Sequence, residues 1–249
     1  MTSTPPTGAA EPVPPAIERM RAIAREWDGA ADHRAVFLSC YEMMTAAMLF
    51  AVGERGFGDP AWVNRLLDRF AEYYFDAVAA YDRDPATAPR AWQLAHDSCR
   101  DTDAWPLQRL LLGINAHINY DLALTVAELL AREWADLTPE QRAVRLGDYR
   151  RVNDIIARTI DEVQDELLEP LMPVLRVVDI VMGAGDELIV SRVLVGWRDR
   201  AWDNAIQLVE AADADVRAAV VLGMEAEALR IAAGISMTGG PTSFLSLFR

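Results

Sequence analysis

Between Leu110 and Ala127 the chain carries one formally charged side chain, Asp121, and that limits what it can fold into. Residues 109–130, RLLLGINAHINYDLALTVAELL, put apolar side chains on every side of a helical wheel and run too long for an ordinary strand. The pattern predicts a helix buried nearly all round, with the rest of the chain packed about it and residues 110–124 innermost. Four polar residues interrupt it: Asn115, His117, Asn119 and Asp121. A polar group shut away from water without a hydrogen bond costs free energy, so each needs a partner. Helical spacing sets Asn115 and Asn119 on one face, and His117 and Asp121 on a roughly opposite one with Gly113 and Thr125.

This helix holds the candidate chemistry. A histidine and a carboxylate at i and i+4 can form an oriented acid–base pair or share a metal ion. Asn115, Asn119 and Glu42 are the candidate helpers, Glu42 being a lone carboxylate within a long apolar run. A divalent metal on His117 and Asp121 would need further ligands, with Glu42, Glu72, Asp76, His96, Asp154 and Asp161 as the candidates. The competing reading is structural: a buried polar pair also fixes helix packing.

The segment Gly113-Ile114-Asn115-Ala116-His117-Ile118-Asn119-Tyr120-Asp121-Leu122 resembles the most distinctive stretch of a bacterial family known as domain of unknown function 5995. The similarity continues more weakly through Phe70-Ala71-Glu72-Tyr73-Tyr74, Val152-Asn153 with Asp161 and Gln164, and Arg198-Asp199-Arg200-Ala201-Trp202. The family's pattern has Leu where Tyr120 stands and no histidine at His33 or His96, which tells against a site needing all three histidines. The resemblance implies an all-helical domain and carries no activity with it.

Composition narrows the partners. A net charge of −14 with scattered arginines argues against nucleic acid and anionic membranes, because phosphate contacts need clustered cations. Cys40 and Cys99 stand far apart without metal or redox spacing, and no secretory apolar segment precedes them, so a reduced cytoplasm is the expected setting. The uncharged runs 43–53 and 110–120 fall short of the roughly 20 residues a bilayer span needs and read as core.

Along the chain, residues 1–15 are rich in Pro and Thr and are expected to be disordered. Residues 16–235 form one all-helical domain of about eight helices, followed by a loose apolar tail over 236–249 that is a candidate for homodimer contacts. Helices are expected from residue 17, from about 35 to 53, from a cap at Asp59-Pro60 to about 82, and over 90–100. Others follow from a capping box at Thr138-Pro139-Glu140-Gln141 to about 168, over a short apolar piece at 174–182, and over 186–211 and 213–233. Nothing alternates with period two, so no sheet is expected.

Other motifs are weaker. His96-Asp97 has the order of an HD-type phosphohydrolase dipeptide, but it sits before a charged run and reads better as surface. Asn153-Asp154-x-x-Ala157-x-x-x-Asp161 resembles a degraded Mg-binding motif of terpene synthases, against the simpler reading of a solvated charged face. No Glu-x-x-His occurs, which disfavours a ferritin-like di-iron site. The expectation is a small-molecule enzyme with a lipid- or terpenoid-like substrate. Tyr41, Met44, Phe70 and Tyr73 would line its pocket, and Arg198 would reach inward to Asp121 or Glu42. The alternatives are a non-catalytic ligand-binding or interaction domain and Mg-dependent diphosphate chemistry of the terpene-synthase kind.

Overall fold

A computed structural model of the chain describes residues 15–54, 56–163, 166, 167, 170 and 185–237. Every regular element among them is helical. They form eight helices and one 3-10 turn, Pro85–Thr87. In chain order the first four are α1 (Pro15–Gly29), α2 (Ala35–Gly53), α3 (Pro60–Arg83) and α4 (Arg90–Ser98). The central helix, α5, runs through Pro106–Ala116, a π-helical segment His117–Asp121, and Leu122–Ala131. After it come α6 (Pro139–Val163), α7 (Gly185–Glu210) and α8 (Ala214–Ser236). The expected N-terminal disorder up to residue 14, the apolar piece at 174–182 and the tail from residue 238 lie outside the described residues.

Local chemistry sets the helix starts. The Asp59 carboxylate accepts the Trp62 N–H at 2.9 Å, with Pro60 opening α3. Thr138 and Gln141 bond reciprocally, at 2.8 and 3.3 Å, as a capping box should. Helix α5 begins at Pro106 rather than Arg109, because proline's fixed φ suits a first turn and Gln108 reaches back to the Trp105 N–H at 3.4 Å.

The two halves of α5 serve two cores. Leu110, Leu111, Leu112 and Ala116 pack with Met20, Phe37, Tyr74 and Trp92 from α1 to α4. Leu122, Val126, Ala127 and Leu130 pack with Trp62, Tyr149 and Ala205 from α3, α6 and α7. Helix α2 is 19 residues long with a mean hydropathy of 1.7, enough by length and composition to cross a membrane. The uncharged run from Met43 understated that length, since Glu42 does not interrupt the helix. Within the fold, Val36, Phe37, Leu38, Cys40, Tyr41 and Met48 of α2 are buried in the bundle.

Gly113 is required by a close approach. A β-carbon there would stand 2.6 Å from Cδ2 of Phe37, so the Phe37 ring lies directly on the helix backbone. That ring also packs at right angles to His117, at 5.7 Å between centroids.

Candidate functional site

The π-helical turn falls on the histidine and the aspartate. The Leu122 N–H reaches back five residues to the His117 carbonyl, and one extra residue in the turn offsets the two halves of α5 against their neighbours. Single π turns inside α-helices recur at functional sites. Below the turn, the Thr125 hydroxyl donates to the Asp121 carbonyl at 2.8 Å.

His117 is 4% exposed and Asp121 is 1% exposed. His117 Nδ1 lies 3.1 Å from Asp121 Oδ2, and the Trp92 indole N–H donates to the same oxygen at 2.8 Å. The imidazole stacks flat on Phe70, with ring centroids 3.5 Å apart and planes 8° apart, and meets Tyr41 edge-on at 4.4 Å. The ring is therefore fixed on its faces and at Nδ1. Its other nitrogen, Nε2, is buried without a partner among the described residues.

Burial disfavours both charged forms of the pair. It pulls the His117 imidazole well below its ordinary range and pushes the Asp121 carboxyl well above its own, with the Trp92 hydrogen bond opposing the second effect. One proton shared between Nδ1 and Oδ2 leaves the pair neutral overall, with Nε2 carrying a hydrogen it can donate. Loss of a proton turns Nε2 into an acceptor.

Beside the imidazole lies a cavity of about 120 Å³, almost wholly apolar. Its wall includes Phe37, Tyr41, Met44, Leu66, Phe70 and Ile114, with His117 and Arg198 as the charge-bearing residue types. Cys40 also borders it, but burial pushes its thiol up to about 12, and burial likewise raises the Tyr41 hydroxyl. Neither side chain is ionised at neutral pH.

Tyr41, Met44, Phe70 and Arg198 all border the cavity. Tyr73 does not, because one residue's rotation on α3 gives the interior to Tyr74. The Tyr73 hydroxyl donates to Glu128 at 3.2 Å, outside the cavity. Glu42 is also elsewhere: it pairs with Arg21 of α1 at 2.8 Å, so it is the partner of a surface cation and not of the buried site. Asn115 and Asn119 turn to the opposite side of α5. Asn119 Nδ2 donates to Asn115 Oδ1 at 3.0 Å, and Asn115 Nδ2 donates to the Ala228 carbonyl of α8 at 2.8 Å. Arg198 reaches neither Asp121 nor Glu42; it donates to Asn153 Oδ1 at 2.6 Å and to the Tyr149 carbonyl at 2.9 Å.

His96 is buried, not superficial. It stacks on Trp92 at 5.3 Å, and burial pulls it down to about 3. Its neighbour Asp97 is exposed and accepts the Tyr81 hydroxyl at 2.6 Å. Asp154 is exposed, while the Asp161 side chain lies outside the described residues. No group of three or more His, Cys, Asp or Glu side chains converges among the described residues. Trp92 is the site residue that sequence reasoning missed. The available signal was general: a buried indole N–H needs an acceptor, and Asp121, the one carboxylate between Leu110 and Ala127, was unclaimed.

The model of a family of unknown function, DUF5995, matches residues 13–238. The chain belongs to that family. No curated protein and no solved structure matches it.

Proposed function

We propose that this member of the DUF5995 family is a small-molecule enzyme that holds a mainly apolar substrate in the 120 Å³ cavity, with His117 Nε2 exchanging a proton with it. One observation carries the reading: a buried, unpartnered nitrogen belongs to a ring that is held on every other side and borders an otherwise apolar cavity. Buried polar atoms are normally paired, so an open one next to empty volume is a place for a ligand's polar atom. Asp121 is the positioning residue. It holds Nδ1, stabilises the protonated ring when Nε2 accepts, and is itself held by Trp92.

The cavity bounds the substrate. Engineered apolar cavities of about 150 Å³ hold a benzene ring, so a ring or a short aliphatic chain fits while a terpenoid would need the wall to open. In the metal-assisted form of the reading a divalent ion would sit on the same two side chains. The non-catalytic alternative is favoured by one observation, that a single open nitrogen among the four polar residues of α5 touches the cavity.

Incubation of the protein with a mixture of small apolar alcohols, aldehydes and acids, followed by mass spectrometry, tests the proposal. Wild type should deplete at least one compound, and His117→Gln should leave it intact. A compound that binds and is never converted would support the ligand-binding alternative, and no binding at all would remove both. Metal analysis of the same samples tests the metal-assisted form, which requires a stoichiometric ion lost in His117→Ala.

A further inference from the structure

Arg198 is 4% exposed, and its described partners are all neutral: Asn153 Oδ1, the Tyr149 carbonyl and the face of the Tyr149 ring, 4.5 Å from the guanidinium carbon. The Tyr149 hydroxyl closes the arrangement by donating to the Arg198 carbonyl at 2.6 Å. Asp199, next in the chain, is half-buried and pairs with Arg150 at 3.4 Å. The Nη1 group of Arg198 donates to none of the described residues.

The other two buried arginines are compensated. Arg145 pairs with Asp59 and Glu133 at 2.7 and 2.8 Å. Arg109 lies at the C-terminal end of α4, donating to the carbonyls of Ser98 and Asp101, where the helix dipole favours a cation. Among the described residues Arg198 hydrogen-bonds to no carboxylate and caps no helix end, since Tyr149 and Asn153 lie inside α6 and the nearby Asp199 pairs with Arg150. A guanidinium does not lose its proton to escape burial, so a charge whose described partners are all neutral can take an anionic ligand.

We infer that the cavity is specific for a small apolar molecule ending in a carboxylate, and that Arg198 in its wall supplies the counter-charge. The inference rests on the reading of the cavity as a ligand site and names the class of ligand. A carboxylate suits the donors left over better than a phosphate does. Arg198 and His117 are the charge-bearing residue types of this wall, and one guanidinium edge with one imidazole nitrogen suits two oxygens better than the oxygens of a phosphate. The aliphatic or aromatic remainder would lie against Met44, Leu66 and Phe70.

The probes are hexanoate and hexan-1-ol, of matched length and differing in charge, titrated calorimetrically into the full chain near neutral pH. Hexanoate should bind about tenfold tighter than hexan-1-ol, the margin of one charge-assisted hydrogen bond. Met44→Trp, which fills the cavity from a half-buried position, should abolish both. Arg198→Gln should keep hexan-1-ol binding and lose the preference. Equal binding of the two probes by wild type would overturn the inference and leave the cavity standing as a ligand site. Binding of neither would remove both, and a preference surviving Met44→Trp would place the carboxylate outside the cavity and overturn the inference. If Arg198→Gln does not fold, the wild-type and Met44→Trp titrations still decide.

Discussion

Asn115–Asn119 and His117–Asp121 are polar pairs of identical spacing on one helix, both closed to water. On the α8 side, each described amide bond is made within the protein, and the pair joins α5 to the Ala228 carbonyl. On the α3 and α4 side, one nitrogen is left open beside a cavity, and the helix widens into a π turn where that pair sits. The first arrangement is what packing needs. The second keeps a ring nitrogen unused; Trp62 Nε1, Tyr74 Oη, His96 Nε2 and Arg142 Nε are also buried without a partner among the described residues, but none of those residues lines the cavity. The difference teaches that spacing and burial do not tell the two pairs apart, whereas an unsatisfied atom that also borders a cavity does.

Substitutions can break or sharpen this contrast. The largest effect is expected from Asn115→Leu, which strands Asn119 Nδ2 and the Ala228 carbonyl contact in a fully buried place. Chemical denaturation should show a loss of about 3 kcal/mol, while affinity for hexan-1-ol stays within twofold of wild type. Gly113→Ala comes next. Its new methyl meets the Phe37 ring at 2.6 Å and must displace it, at about 2 kcal/mol for overpacking. Because Phe37 also borders the cavity, probe affinity should change with it, unlike in the asparagine variant.

His96 supplies a pH test on the same side of α5. Its folded pKa is lowered to about 3 from 6.5, so between those values the unfolded chain takes up a proton that the native chain refuses. Stability is lost as pH falls through that window, at a limiting slope of about 1.4 kcal/mol per pH unit. His96→Phe should flatten the acid limb of a stability profile by that slope. The smallest effect is expected from Asp121→Asn. Burial disfavours the ionised carboxylate, and an amide oxygen in the place of Oδ2 can accept from the Trp92 indole and from a neutral imidazole protonated at Nδ1, so stability near neutral pH should change by less than about 1 kcal/mol. A loss of several kcal/mol would mean that the native carboxyl is ionised.

Much of the scaffold was legible from residues with a local mechanism. Asp59-Pro60 and Thr138-Gln141 cap their helices as read, and α5 is central because its charge-poor sequence permits nothing else. The two polar faces of α5 followed from helical spacing. What failed depended on contacts distant in sequence. Nothing near residue 117 announces a π turn, and the Trp92 bond to Asp121 spans 29 positions. Glu42 finds Arg21 on a neighbouring helix. Tyr73 and Tyr74 differ by one helical step, and tertiary packing chose between them.

The contrast between the pairs is most directly tested by nitrogen-15 NMR of the side chains during titration with hexan-1-ol. The His117 Nε2 resonance should move on binding while the Asn115 and Asn119 amide resonances hold still. Asparagine signals that move as far as Nε2, or an Nε2 signal that does not move while the probe binds, would contradict the assignment of one pair to packing and the other to the site.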